Sequence, residues 1–424
     1  MRVDEPRQSW LNRTFASFQA YNYRLYWSGQ FVSFMGTWMQ RVGQSWLVLE
    51  LTHSPIALGL VSALQTLPVL LFTLFAGVLV DRWPKHQLLM VTQSAALVQA
   101  LLLATLTVFG RIQVWQIDVL ALMLGFINAL DNPTRQTFVT ELVPQDKVLN
   151  AISLNSAQMN CSRLLGPAIG GVIVGTLGAG VCFFINAASF LATMLSLLLM
   201  RRAEFNAPAP ARSSGRALSG VVTGMRYIFR APELMTVIIV LAGIGCFGYN
   251  WNTVTPLVAS DLHEGAEGFG FLLSALGIGS VIGAVTTAGR RDLSTKVLML
   301  AALGFGVAYM GIAFAPVLAV AFALYAGLGF AGVTFTSLAN STLQLSTPHE
   351  LRGRVMAVFT MLMQGSTPIG SLFTGVVAAA AGIRVTVAAE ASLCLLGLAL
   401  AVGYWSRFAG RATRPTAPAE ALAV

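Results

Sequence analysis

The chain carries twelve blocks of roughly twenty apolar residues, and at 1.5 Å per residue each block matches the ~30 Å hydrocarbon core of a bilayer. A soluble helical protein of this size would show amphipathic stripes, whereas most of these blocks are apolar all round. Only 10% of residues are charged and 56% are hydrophobic, against about 25% charged in an ordinary soluble domain. The twelve blocks therefore read as membrane-spanning helices rather than as buried core helices of a soluble protein.

Charge placement orients them. With the N-terminus inside, 22 of the 26 Lys and Arg residues fall on the inner side; only Arg111 and Arg384 fall outside, while Arg41 and Arg163 lie within spans. This is the positive-inside distribution, and it predicts both termini in the cytoplasm. It accounts for the basic excess without nucleic acid, leaving the lipid bilayer as the partner. The first twenty residues lack the apolar core and cleavage site of a signal peptide. The four cysteines have no spacing for a metal or a disulfide.

Taken in order, the expected parts are a cytoplasmic arm (1–23), a first six-helix bundle (24–200), a cytoplasmic linker with an interfacial helix near 217–230 (201–232), a second six-helix bundle (233–406) and a disordered cytoplasmic tail (407–424). A break is expected in span seven near Pro256, and span three looks bland.

The densest feature is the fifth span, where Ser153–Thr176 holds Arg163 and the run Gly166-Pro167-Ala168-Ile169-Gly170-Gly171. Glycines a turn apart let helix backbones approach closely in lipid, and neighbouring helices satisfy the carbonyl that a proline leaves free. The pattern recurs: Pro144, Gly166, Gly171 and Gly178 fall on Pro348, Gly370, Gly375 and Gly382, each 204 residues on. Leu124-Gly125-Phe126 meets Leu328-Gly329-Phe330 at the same offset. Two similar parallel six-span halves point to an all-α carrier with twelve transmembrane helices in pseudo-symmetric halves.

Specific motifs then support a family. Gly77-x-Leu79-x-Asp81-Arg82, followed by Lys85, resembles the major facilitator loop signature, with Pro84 in place of a glycine and His86 in place of the second base. Its counterpart, Gly289-Arg290-Arg291-Asp292, is degenerate. Gly166-Pro167-x-x-Gly170-Gly171 is similar to the fifth-helix signature of the drug-antiporter branch, with Ser153 and Ser162 standing for two of its glycines. Tyr23-Arg24-Leu25-Tyr26-Trp27, Asp131-Asn132-Pro133-x-Arg135 and Arg352-Gly353-Arg354-Val355 look like the branch that holds the enterobactin exporter and macrolide efflux proteins. The resemblance spans about 20–405. It implies the major facilitator fold, export from the bacterial inner membrane, and a gate role for Asp81 with Arg82, Arg352 and Arg354.

Within the spans, Arg41 and Arg163 are the costliest residues, since an arginine at a helix centre costs at least about 2.5–3.5 kcal/mol on the insertion scale. Counted from the inner ends they sit at similar depth, which favours an anionic cargo; the alternative is that each pairs with a buried carboxylate or carbonyl. Trp38, Gln40, Gln44, Asn128, Tyr249, Asn250, Trp251, Asn252, Thr336 and Asn340 form a polar and aromatic set suited to amphipathic organic ligands. Asp131 and Arg135, four apart, share a helix face and can pair as a structural or partner-exchanging couple, with Arg135 a gate candidate. Asp131, Asp118 and Glu390 are the candidate proton carriers, with solvation near the outer surface as the plainer account of the last two.

No phosphate loop, metal cluster or nucleophile elbow occurs, so neither an enzyme nor a cofactor is expected. The sequence reads as a secondary exporter acting as a functional monomer. Proton entry would drive out a small amphipathic or anionic compound, such as a siderophore or hydrophobic antibiotic, while the halves rock about a midplane site. An importer, a lipid flippase and a non-transporting receptor or scaffold are the alternatives.

Overall fold

The computed structural model describes residues 14–206, 217–288 and 294–408, and every regular element among them is helical. The basic arm before residue 14, the Gly289–Asp292 motif and the tail from 409 lie outside the described residues, as does the Asp81 side chain.

Six long helices come first: α1 (Tyr21–Thr52), α2 (Pro55–Arg82), α3 (Lys85–Val108), α4 (Val114–Leu142), α5 (Val148–Leu177) and α6 (Ala179–Leu198). A short amphipathic helix follows, α7 (Ala217–Arg230). Next come α8 (Pro232–Gly243), a π turn (Ile244–Gly248) and α9 (Trp251–Asp261), then α10 (Ala266–Ala288), α11 (Thr295–Ala313) and α12 (Leu318–Leu345). The last three are α13 (His349–Gly365), α14 (Thr367–Ala381) and α15 (Ile383–Phe408).

Among the described residues nine helices are long and apolar enough to cross a membrane, or ten if the bent α7–α8 pair counts as one span. Helices α1 and α5, 32 and 30 residues long, are not among the nine. Their shortfall is polarity rather than length: α1 carries Gln40, Arg41 and Gln44, and α5 carries Arg163.

Contacts divide the chain into two compact units. The first comprises residues 1–53, 67–214 and 264–274; the second comprises 54–66, 215–263 and 275–424. In the first, α5 lies so close to α1 that a Cβ on Gly170 would stand 2.9 Å from the Met39 Cα. Gly171 meets Gly270 of α10 as closely, its Cβ falling 2.9 Å from that Cα. In the second, Gly375 of α14 packs on Gly59 of α2, with a Cβ 3.4 Å from the Gly59 Cα. Small residues at these crossings bring backbones into van der Waals contact, which drives helix association where lipid removes the hydrophobic incentive.

The repeat also sets helix ends. Gly178 closes α5 at φ 86° and Gly382 closes α14 at φ 82°, backbone conformations that a side chain resists.

Two breaks differ from the sequence reading. Span seven breaks at the π turn and Tyr249-Asn250, while Pro256 sits undisturbed within α9. Span eleven is divided at Ser366, whose hydroxyl donates to the Leu362 carbonyl four residues back, a bond that bends helices.

Candidate functional site

Trp38 and Arg41 are three residues apart on α1 and share a face. The Arg41 guanidinium carbon lies 4.5 Å from the Trp38 ring centroid, and that of Arg163, arriving on α5, lies 5.5 Å from the same ring. What seats the ring is Gly166, one turn beyond Arg163: a Cβ there would stand 2.6 Å from the Trp38 Cβ. The glycine run thus brings α5 close enough for Arg163 to share the tryptophan with Arg41. Among the described residues no carboxylate lies within ion-pairing distance of Arg41. Two cations over one indole make a flat, positively charged platform, with each contact contributing about 0.5–2 kcal/mol depending on desolvation. It suits a planar anionic or aromatic group.

Gln40 is not part of that platform. It is buried and turned into its unit, where Asn186 donates to its Oε1 at 2.7 Å and its own amide donates to Gln99 at 3.3 Å. The expectation that Gln40 lines a path is corrected: a buried polar side chain satisfies its groups locally, and α3 and α6 supply them. Gln44, one turn past Arg41, is buried with an Oε1 that has no hydrogen-bond partner among the described residues. Asn128 of α4 is half-buried.

Asp131 is buried and its carboxylate is saturated. Thr92 donates to it at 2.7 Å, Gln93 at 2.9 Å, and Arg135 pairs with it from the next turn. Arg135 also donates to Gln30, which in turn donates to the Tyr26 hydroxyl at 2.9 Å. This chain ties α1, α3 and α4 together. The reading of span three as bland is therefore corrected: Thr92, Gln93 and Gln99 of α3 anchor two buried networks. Isolated polar residues in an apolar block were the available signal. His86 also falls inside α3, where it bonds the Leu197 carbonyl at 2.9 Å.

In the second unit, Tyr249 and Trp251 flank the break between the π turn and α9; Tyr249 stacks on Phe305, and Trp251 meets Tyr249, Phe305 and Tyr309 edge-on. Tyr249 donates to the Gly332 carbonyl at 3.3 Å. Asn252 and Asn340 are half-buried, and Gln344 donates to Asn340 at 2.5 Å. Glu390 of α15 is 0% exposed, so the expectation of a solvated Glu390 is corrected. It accepts from Tyr309 of α11 and Thr374 of α14. Packing of α15 against α11 and α14 puts it there; neither donor was legible in the sequence as its partner. Asp118, the other outer carboxylate, is half-buried, with one oxygen that no described donor reaches.

Of the expected gate residues, Arg82 and Arg354 are exposed and Arg352 is half-buried. Arg135, a further gate candidate, pairs with Asp131 as their spacing predicts.

Residues 12–419 match the transmembrane secretion effector family. The chain belongs to this major facilitator family. Transporters of this group are not enzymes. The multidrug efflux pump Tap of Mycolicibacterium fortuitum is 30% identical over 363 residues, covering 83% of this chain and 88% of Tap. The staphyloferrin A transporter of Staphylococcus aureus is 26% identical over 85% of this chain and 90% of its own length. The Escherichia coli enterobactin exporter EntS is 23% identical over 92% of each. Among solved structures, a bacterial homologue of the human lysosomal transporter Spinster superposes with TM-score 0.73 at 13% identity, covering 94% of this chain and 99% of that one. The nucleoside transporter NupG gives TM-score 0.73 at 12% identity over 91% and 99%. These last two establish the fold of this major facilitator transporter, and only the fold.

Proposed function

We propose that this transporter exports a small amphipathic or anionic organic compound across the bacterial cytoplasmic membrane, in exchange for protons. The observation that carries the reading is the pair of guanidinium groups, Arg41 and Arg163, over the Trp38 ring. A catecholate or carboxylate carried on an aromatic or apolar body meets both of that platform's properties, charge and flatness. Relatives named as a siderophore exporter and as a multidrug efflux pump supply the direction. In this reading Gln44 and Asn128 of the first unit touch cargo, as do Tyr249, Trp251, Asn252 and Asn340 of the second, and Asp81, Arg82, Arg135, Arg352 and Arg354 act in gating. The chain crosses the membrane twelve times as a monomer, with both termini in the cytoplasm.

Inverted membrane vesicles carrying the full chain test the direction and the coupling. Enterobactin and a hydrophobic macrolide are offered outside, with an acidic interior. Accumulation that collapses with a protonophore is expected. Accumulation only in right-side-out vesicles would make the protein an importer.

A further inference from the structure

Antiport requires a group that binds a proton and gives it up, and the buried carboxylates of the two units are not equivalent in this respect. Asp131 already has a countercharge in Arg135 and two further donors, Thr92 and Gln93. Glu390 is fully enclosed, and its partners among the described residues are all neutral: the Tyr309 and Thr374 hydroxyls and the Asn250 side-chain amide.

The groups around Glu390 can be taken element by element. Helix α11 presents Tyr309, α12 presents Tyr325, the π turn presents Cys246, and α15 itself presents Cys394. Helix α14 carries no titratable residue. Helix α8 has Glu233 in its first turn, and α9 has Asp261 as its last residue, paired with Arg384. No Lys, Arg or His makes an ion pair with Glu390 among the described residues. A buried charge without a countercharge is costly, whereas a neutral acid in the same place needs only one acceptor for its proton.

That acceptor is present. Asn250 is buried and its side-chain amide donates to the Glu390 carboxylate as well as to the Cys246 carbonyl, the latter at 3.0 Å. Its Oδ1 has no donor among the described residues. A protonated Glu390 supplies the missing donor. Gly370 keeps the place open, since a Cβ there would stand 2.8 Å from the Asn250 Oδ1.

We infer that Glu390 is the residue that takes up and releases the coupling proton, and that Asn250 reads its state. The inference rests on the antiport reading above. As an anion, Glu390 accepts from Tyr309, Thr374 and the Asn250 amide. On protonation one O–H bond forms at a carboxylate oxygen while one O–H bond of a hydronium ion breaks to leave water, and the new O–H turns to the Asn250 Oδ1; release to a water molecule, which becomes hydronium, reverses the step. Asn250 sits at the break between the π turn and α9, with Tyr249 before it and Trp251 after it. A gained or lost bond there acts on the helix segment that carries two of the proposed cargo contacts. Irregular backbone is tolerated at membrane depth only where protein or a cavity covers it, and π turns recur at functional sites.

Two measurements on the full-length protein test this. In lipid nanodiscs, infrared difference spectra between acid and alkaline buffer should contain a protonated-carboxyl C=O band that is lost in Glu390→Gln and kept in Asp131→Asn. A band unchanged by Glu390→Gln overturns the inference. In inverted vesicles with enterobactin as probe, Glu390→Gln should lose accumulation driven by an imposed pH gradient while keeping downhill equilibration; retained pH-driven accumulation overturns it. Should Glu390→Gln fail to reach the membrane, Tyr309→Phe and Thr374→Ala replace it. Each removes one donor and should move the midpoint of the infrared titration, and an unmoved midpoint in both counts against Glu390. A wild type without any pH-driven accumulation defeats the antiport reading itself, and is told apart because it appears before any substitution.

Discussion

Gly166 of α5 stands directly behind Trp38 of α1: a Cβ added to the glycine would lie 2.6 Å from the Cβ of the tryptophan. Its counterpart in the repeat, Gly370, lies against the Cys246 carbonyl and against the Asn250 side chain, whose amide oxygen would stand 2.8 Å from its Cβ position. In each unit the repeated glycine makes room for a side chain of the candidate site.

The first prediction follows from that contact. Gly→Ala within a helix ordinarily stabilises by about 0.5–1 kcal/mol. Gly403 has nothing within 4 Å of its Cβ position and should follow that rule. Gly166→Ala and Gly370→Ala should reverse the sign, losing about 1–3 kcal/mol to overpacking. Thermal unfolding of the three variants in nanodiscs checks this; equal shifts would contradict it.

Gln40 separates a packing role from a binding role. Gln40→Leu takes away the acceptor of the Asn186 N–H and the donor to the Gln99 Oε1, and should cost about 1–3 kcal/mol of stability. The KM of the surviving transporter for enterobactin should stay within about twofold, since that corresponds to under 0.5 kcal/mol. A large KM rise with unchanged stability would return Gln40 to the cargo path.

The Asp131–Arg135 pair is expected to behave as a coupled unit. Arg135→Gln leaves a buried carboxylate without its countercharge and should cost about 3–5 kcal/mol, with Asp131→Asn/Arg135→Gln recovering part of the loss. A double-mutant cycle by thermal unfolding measures the coupling. Additivity of the two single changes would show that the pair does not hold α1, α3 and α4 together.

Much of the fold was legible because lipid imposes a length, and nine helices among the described residues are long and apolar enough to cross a membrane. The repeat was legible in glycine and proline spacing, and Gly178 and Gly382 show its physical basis as matched positive-φ helix ends. The breaks were less so. Pro256 looks like a breaker, yet a proline's lost hydrogen bond is tolerated inside a bundle, and the irregular turn lies earlier at Ile244–Gly248. At the site, Arg41, Arg163 and Trp38 stood out because charge and bulk are costly in a span. Their convergence on one ring, and the embrace of Glu390 by Tyr309 and Thr374, depend on how helices distant in sequence pack, which spacing along one helix does not encode.

Arg41 should not tolerate lysine. Arg41→Lys keeps the charge but loses the planar group above Trp38, and an ammonium is a compact, strongly hydrated point charge. Enterobactin binding, read by quenching of tryptophan emission, should weaken by about tenfold, or roughly 1.4 kcal/mol. Trp38→Phe should remove most of the quenching signal while the other tryptophans remain. Wild-type affinity in Arg41→Lys would show that charge alone suffices.

The central claim is that Arg41 and Arg163, gathered on Trp38, hold the cargo. Its most direct measurement is enterobactin accumulation in inverted vesicles by wild type, Arg41→Gln, Arg163→Gln and the double variant, each normalised to folded protein in the membrane. The account predicts that each single variant loses most of the accumulation and that the double variant is no worse than the more damaging single one. Wild-type accumulation by the double variant would contradict it.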